Sequence, residues 1–282
     1  MAPVHTAEST SRFVQAGDVR VHLHEAGEGP VLLCIHGGAP GAFGWGNFGY
    51  NMDEWSKTYR VIIVDLPGYG LSDKPVVEGG RYTFYANVFK DMLAEMGIEK
   101  AHVLGMATGG AAAAQMAILF PEIIDRLLLV SSAGGFPLFT PSPSEGTKAI
   151  QSYYGGEGPS LERMRRYMDL IVHDKSLITD EVVQERYDAS VQPEFMVQAP
   201  EGRGHRPVIE PVWKDLDKIK AKTLVVWGRD NRIQGYDNAL FMFNQIPDVE
   251  VHLYGKTGLW IPYERPEEFT RLLHAFLDVK GA

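Results

Sequence analysis

Two hydrophobic rhythms alternate along this chain. Short runs of aliphatic residues, too continuous for half-exposed strands, are separated by longer stretches in which apolar residues return every three or four positions. The runs "VLLCIHG", "YRVIIVDLPGYG", "KAHVLGM", "IDRLLLVSS", "KTLVVWGRD" and "VEVHLYG" predict strands of a sheet buried on both faces. Ahead of them, "FVQAG" and "VRVHLHEAG" predict an opening antiparallel pair. "YTFYANVFKDMLAEMG" has helical spacing and closes on Gly97. "RPEEFTRLLHAFLDVK" opens a last helix with Pro266 and two glutamates in its first turn, residues that suit a helix N-terminus. The fold class expected is α/β: a mostly parallel sheet flanked by helices.

One segment breaks the alternation. Between 136 and 211 no strand is expected, and "SPSEGTKAIQSYYGGEGPS" leads into helical "LERMRRYMDLIVHD" and "ITDEVVQERYDASV". The expectation is a helical cap, 136–211, inserted after the sixth strand of a core made of 1–135 and 212–282. Such a cap would cover the carboxyl ends of the strands, where open α/β sheets bind ligands.

The stretch "HVLGMATGGAAAAQM" carries the candidate chemistry. It reads as a strand, a tight glycine turn and a small-residue helix, the outline of a nucleophile elbow G-x-S-x-G. Here the elbow is Gly105-Met106-Ala107-Thr108-Gly109, with alanine in the nucleophile's place.

Composition narrows the partners. A net charge of −9 with no basic run argues against nucleic acid or an anionic membrane. The single cysteine, Cys34, sits in an aliphatic run; it excludes an internal disulfide and fits a reducing, cytoplasmic compartment. The N-terminus has no apolar signal-like core, and no apolar run is long enough to cross a bilayer. No cofactor and no metal are expected. A homodimer or higher homo-oligomer is left open.

With the elbow, "HGGAPGA" and the insertion in place, the chain resembles the α/β-hydrolases. More closely it is similar to the meta-cleavage product hydrolases of bacterial aromatic degradation, which cut a carbon–carbon bond in 2-hydroxy-6-oxo-dienoates. The matching stretches are "HGGAPGAFGWGNF", "VDLPGYGLSDKP", "SLITDEVVQERYDASVQPE", "IKAKTLVVWGRDNR" and "GLWIPYERPEEF". The resemblance implies a serine in the elbow, an aspartate after the W-G-R-D strand and a histidine in a late G-H-W turn. Residue by residue, those positions hold Ala107, Asn231 and Leu259. Alanine has no nucleophilic atom, asparagine lacks the charge, and leucine moves no proton. The resemblance also implies oxyanion-hole amides at Gly38 and Thr108, and a substrate site formed by Asn47, Met106, Arg186, Trp213 and Trp260, with Arg186 pairing a substrate carboxylate. A guanidinium fork suits bidentate carboxylate recognition.

Each of these has a plainer reading. Arg186 on a helix reads by itself as a solvated cation. Trp213 and Trp260 read as packing, and Asn47 as a helix cap. His36 reads as part of the H-G turn, His102 as a strand residue and His205 as an exposed loop residue. Two functions stay open. One is an enzyme that guides a non-hydrolytic reaction (decarboxylation, cyclisation, isomerisation or elimination) on an apolar unsaturated acid or an acidic phenol or enol. The other is a non-catalytic protein that binds a small apolar acid. An inactivated variant of a meta-cleavage product hydrolase is a third alternative.

Overall fold

The strands are β1 (Ser11–Ala16), β2 (Val19–Ala26), β3 (Val31–Ile35), β4 (Arg60–Val64), β5 (Ala101–Met106), β6 (Ile124–Val130), β7 (Lys222–Gly228) and β8 (Val249–Tyr254). Among the described residues they form one eight-stranded sheet in the order β1-β2-β4-β3-β5-β6-β7-β8. Only the opening strands run antiparallel, β1 to β2 and β2 to β4; all later pairs are parallel. The computed structural model that gives this arrangement describes residues 4–193 and 208–277.

Side chains alternate across a strand, so one strand feeds two cores. In β3, Leu33 and Ile35 join a core with Phe89, Met92 and Ala111–Ala114. Leu32 and Cys34 join the opposite core with Trp55, Phe269 and Leu273. All of β5 is buried, which accounts for its unbroken apolar run. Cys34 is buried, and burial pushes its thiol far up, so it stays a protonated, unreactive hydrophobe. The helix Arg81–Glu95 ends where Gly97 takes a positive φ of 66°, as the sequence anticipates.

Among the described residues, three α-helices lie between β6 and β7: Glu145–Ser152, Leu161–Ile171 and Asp180–Ser190. Each begins at a hydroxyl side chain, Ser144, Ser160 or Thr179, that accepts the backbone N–H three residues on. The middle helix buries Met164, Tyr167, Met168 and Ile171, an ordinary apolar stripe. The last buries Val183, Arg186 and Ser190, so a cation stands where the stripe calls for an apolar residue. Among the described residues, 136–193 and 208–211 contribute no strand, only a single bridge from Val208 to Gly80. His205 lies outside the described residues. No helix among them is long and apolar enough to cross a membrane.

Candidate active site

The elbow is built by close backbone approach. Ala107 follows β5 and precedes the helix Thr108–Leu119, at φ 49° and ψ −116°. That region is strained for a residue with a side chain, at about 1–3 kcal/mol. The surroundings enforce it: Ala107 N–H donates to the Val130 carbonyl at 3.1 Å, and its own carbonyl accepts from Gly110 and Ala133. The flanking glycines are obligatory. A Cβ on Gly105 would meet the Gly109 carbonyl at 2.4 Å, and one on Gly109 would meet the Ile35 carbonyl at 2.2 Å. The G-x-A-x-G spacing is therefore a packing requirement, independent of what sits at its centre.

Opposite the elbow runs the His36-Gly37-Gly38 turn. His36 is fully buried; its Nδ1 meets the Gly37 carbonyl at 2.7 Å, and its Nε2 accepts the Leu66 N–H at 2.9 Å. Those partners fix the tautomer with the proton on Nδ1. Burial pushes its pKa down to about 4, against the opposing pull of Asp65, so it is a neutral strut and holds the turn. Tyr69 donates to the Gly38 carbonyl at 2.8 Å. A Cβ at Gly38 would touch the Thr108 hydroxyl at 2.8 Å. Among the described residues, no hydrogen bond takes up the N–H of Gly38 or Thr108.

The elbow, the turn and the helices between β6 and β7 line a cavity of about 280 Å³. Gly38, Asn47, Met106, Ala107, Thr108, Arg186, Leu259 and Trp260 all line it. Arg186 is the anomaly. It is only 5% exposed, and its Nε has no hydrogen-bond partner. Among the described residues it forms no ion pair. Its guanidinium lies 5.8 Å from the Trp260 ring centre. Burial raises the pKa of the Tyr167 phenol, and a hydrogen bond with Arg186 works against that rise. Trp260 is itself fixed, donating to the Asn47 carbonyl at 3.2 Å and stacking on Tyr263 at 4.2 Å. Asn47 is buried inside the short helix Gly44–Phe48; its amide donates to the Phe43 carbonyl at 2.7 Å.

Leu259 is 6% exposed, with its N–H on the Ile171 carbonyl at 2.8 Å. Asn231 does not reach the cavity lining. Its Oδ1 accepts from the N–H groups of Ile233 and Gln234, and its Nδ2 is buried without a partner. Asp230 turns away and pairs with His173 at 2.9 Å and, more loosely, Arg229. His102 sits beside Asp125.

Trp213 stands apart from these residues. Trp213 is absent from the cavity lining; its ring packs on Phe136 at 5.1 Å and Phe241 at 6.3 Å. Sequence reasoning missed Tyr167 and Gln234, which line the cavity, Gln234 with its buried Oε1 unpartnered. Tyr167 was legible only as part of an apolar stripe, and Gln234 lies in a loop whose turn depends on Asn231.

Comparison with known proteins agrees with this geometry. The family model described as alpha/beta hydrolase fold matches residues 30–266. The 2-hydroxy-6-oxononadienedioate/2-hydroxy-6-oxononatrienedioate hydrolase of Paraburkholderia phymatum is 36% identical over 97% of each chain. The 2-hydroxy-6-oxo-6-phenylhexa-2,4-dienoate hydrolase of Burkholderia cepacia is 37% identical over 95% of this chain and 96% of its own. A solved meta-cleavage product hydrolase of Pseudomonas fluorescens IP01, a serine-to-alanine variant complexed with acetates, superposes with a TM-score of 0.84 at 29% identity. That match covers 96% of this chain and 98% of the other. These relatives overturn the non-hydrolytic expectation from sequence, and neither the binding-only nor the inactivated-variant alternative is favoured: near-full-length relatives are named as hydrolases of 2-hydroxy-6-oxo-dienoates and -dienedioates. The chain belongs to the α/β-hydrolase fold family, among the meta-cleavage product hydrolases.

Proposed function

We propose that the cavity hydrolyses a carbon–carbon bond in a 2-hydroxy-6-oxo-dienoate, with water itself as nucleophile. The observation that carries this is Arg186, a buried cation with no carboxylate partner among the described residues, lining a cavity of mainly apolar groups in which Asn47, Tyr167 and Gln234 are among the polar side chains. A buried charge without a partner costs several kcal/mol. A ligand carboxylate would offset that cost, and the relatives' named substrates are dienoates. The acetates bound to the solved relative are small carboxylates too.

In this reading, residues 136–211 form the cap over a core of 1–135 and 212–282. Ala107, Asn231 and Leu259 occupy the places where the family carries serine, aspartate and histidine. The dienoate carboxylate meets Arg186, with Asn47 and Trp260 beside it. Its chain passes Met106 and Leu259, and the 6-oxo oxygen points at the N–H groups of Gly38 and Thr108, the donors such an oxyanion needs. The alanine methyl leaves room for a water where a serine hydroxyl would stand. Water adds to the carbonyl carbon to give a gem-diol. As the C5–C6 bond breaks, its electron pair stays with C5, which takes a proton from the diol, giving a carboxylic acid and a 2-hydroxydienoate, together the substrate plus one water. Arg186 stabilises the charge that develops on the departing fragment. Without a triad, only about 10³–10⁴-fold over the reaction in water is expected, and no acyl-enzyme forms.

The test follows the dienolate absorbance of 2-hydroxy-6-oxo-6-phenylhexa-2,4-dienoate with purified protein. Slow loss with release of benzoate is expected, falling at least tenfold in Ala107→Val, which fills the water's place. A contaminating enzyme would not respond to that substitution. Equal rates in both proteins, or no benzoate at all, would overturn the reading.

A further inference from the structure

Away from the elbow, the structure holds three residues in the arrangement the elbow lacks. The Ser11 hydroxyl lies 2.9 Å from Nε2 of His22, and Nδ1 of His22 lies 2.8 Å from Oδ2 of Asp65. Ser11 begins β1, an edge strand, and is exposed; His22 and Asp65 are each 2% exposed. We propose that Ser11, His22 and Asp65 form a second nucleophilic site, with Ser11 accepting the acyl group of a small apolar ester.

The proton positions follow from the partners. Asp65 accepts four hydrogen bonds: Gly44 N–H at 2.6 Å, Leu71 N–H at 2.9 Å, the His22 ring and, at its backbone carbonyl, the Ser72 hydroxyl. Burial pushes the Asp65 carboxyl up, but hydrogen bonds from His22 and the two amides outweigh it and hold the group below its usual value. An ionised carboxylate only accepts, so Nδ1 of His22 carries the proton and Nε2 is left to accept from Ser11. A nucleophile on a base that a third group orients is the general signature of an activated hydroxyl. The ring cannot swing away. Phe13 lies 5.0 Å from it, His24 meets it edge-on at 4.8 Å, and its backbone N–H is bound to Ser72. These constraints do not depend on Ser11, which reaches the imidazole from the solvent side.

The surroundings offer a place for a substrate. Ser11, His22 and Asp65 line a cleft of about 480 Å³, whose other walls include Phe43, Trp45 and Leu71. Leu71 is 65% exposed, an apolar side chain left at the cleft mouth. Those walls suit an apolar acyl group. The cleft shares no lining residue with the cavity at Arg186, although Glu185 and Arg186 are neighbours on one helix and face the two spaces separately. The chemistry balances without a co-reactant. Ser11 Oγ attacks the ester carbonyl carbon while its proton passes to Nε2 of His22. The carbon–oxygen bond to the leaving group breaks, and the alcohol departs with that proton. The product is an ester on Ser11, which water later hydrolyses.

The experiment is brief exposure of the whole protein to p-nitrophenyl acetate and, separately, to a fluorophosphonate, read by intact mass and peptide mapping. Ser9 and Ser152 are exposed serines without an imidazole partner and serve as internal comparators. Ser11 is expected to be labelled at least tenfold faster than either. The adduct should vanish in Ser11→Ala and persist in Ala107→Val, which separates this site from the cavity. His22→Gln, if its melting curve shows a folded protein, should slow labelling at least tenfold. Labelling of Ser11 no faster than Ser9 and Ser152 overturns the proposal in the unmodified chain, whatever the variants do. Unchanged labelling in a folded His22→Gln overturns it as well.

Discussion

Replacing Arg186 by methionine separates what the arginine costs from what it recognises. In the free protein the guanidinium is 5% exposed, its Nε has no partner, and its aromatic neighbour is Trp260 at 5.8 Å. A cation–π contact is worth about 0.5–2 kcal/mol and the hydrogen bond with Tyr167 about 1.5–3 kcal/mol, together no more than the several kcal/mol of desolvation. Methionine fills a similar volume without a charge. The ligand-free Arg186→Met protein should therefore be as stable as the parent or more stable, by up to about 1–3 kcal/mol. Binding of an acid should move the other way. A hydrogen bond to a charged group contributes about 1.5–3 kcal/mol, so the affinity for a carboxylate should drop about 10- to 100-fold. Sorbate, an unreactive dienoic acid, is a suitable probe, with sorbamide as its neutral counterpart. Urea denaturation gives the first quantity and calorimetric titration the second. The parent should prefer sorbate over sorbamide, and Arg186→Met should lose that preference. A variant that is clearly less stable yet binds sorbate as tightly would refute the reasoning, because the arginine would then be a structural prop.

Three further outcomes follow from the geometry. Ala107→Gly removes the strain at φ 49° and should raise stability by about 1 kcal/mol once glycine's extra unfolded-state entropy is subtracted; a lower urea midpoint would contradict this. Gly109→Ala puts a Cβ 2.2 Å from the Ile35 carbonyl and should destabilise by about 1–3 kcal/mol in the same assay, whereas an unchanged midpoint would mean the elbow can open. Burial pushes His36 from 6.5 down to about 4. With the folded value below the unfolded one, stability is complete above about pH 6.5 and is lost as pH falls toward 4, by roughly 3 kcal/mol for His36 alone. His24 shifts the same way, burial again leading. Urea midpoints that stay level from pH 7 to pH 4 would refute the buried neutral imidazole.

The parts that sequence reveals are those that local chemistry dictates. Unbroken aliphatic runs mark the parallel strands because both faces of that sheet are covered, as the complete burial of β5 shows. The elbow is legible because Gly105 and Gly109 answer to contacts within a few residues and one neighbouring strand. Arg186 stands out only in the burial pattern of its helix, since its spacing from Val183 would suit an apolar residue equally. The placement of Trp213 was not legible, because a lone aromatic carries no information about which side of the chain it faces; Phe136 and Phe241 decide that. Ser11, His22 and Asp65 were invisible as a group. A register between β1 and β2 and a turn after β4 bring them together, and none of the three forms a local motif.

The central claim is hydrolysis by water in a pocket without a serine nucleophile. It is tested most directly by incubating the protein with 2-hydroxy-6-oxo-6-phenylhexa-2,4-dienoate in water enriched in oxygen-18 and weighing every product. The expected products are benzoate carrying one heavy oxygen and 2-hydroxypenta-2,4-dienoate in equal amount, with no acyl-protein at any time. A bound dienoate that stays intact, or is consumed into products whose masses do not sum to substrate plus one water, would contradict it.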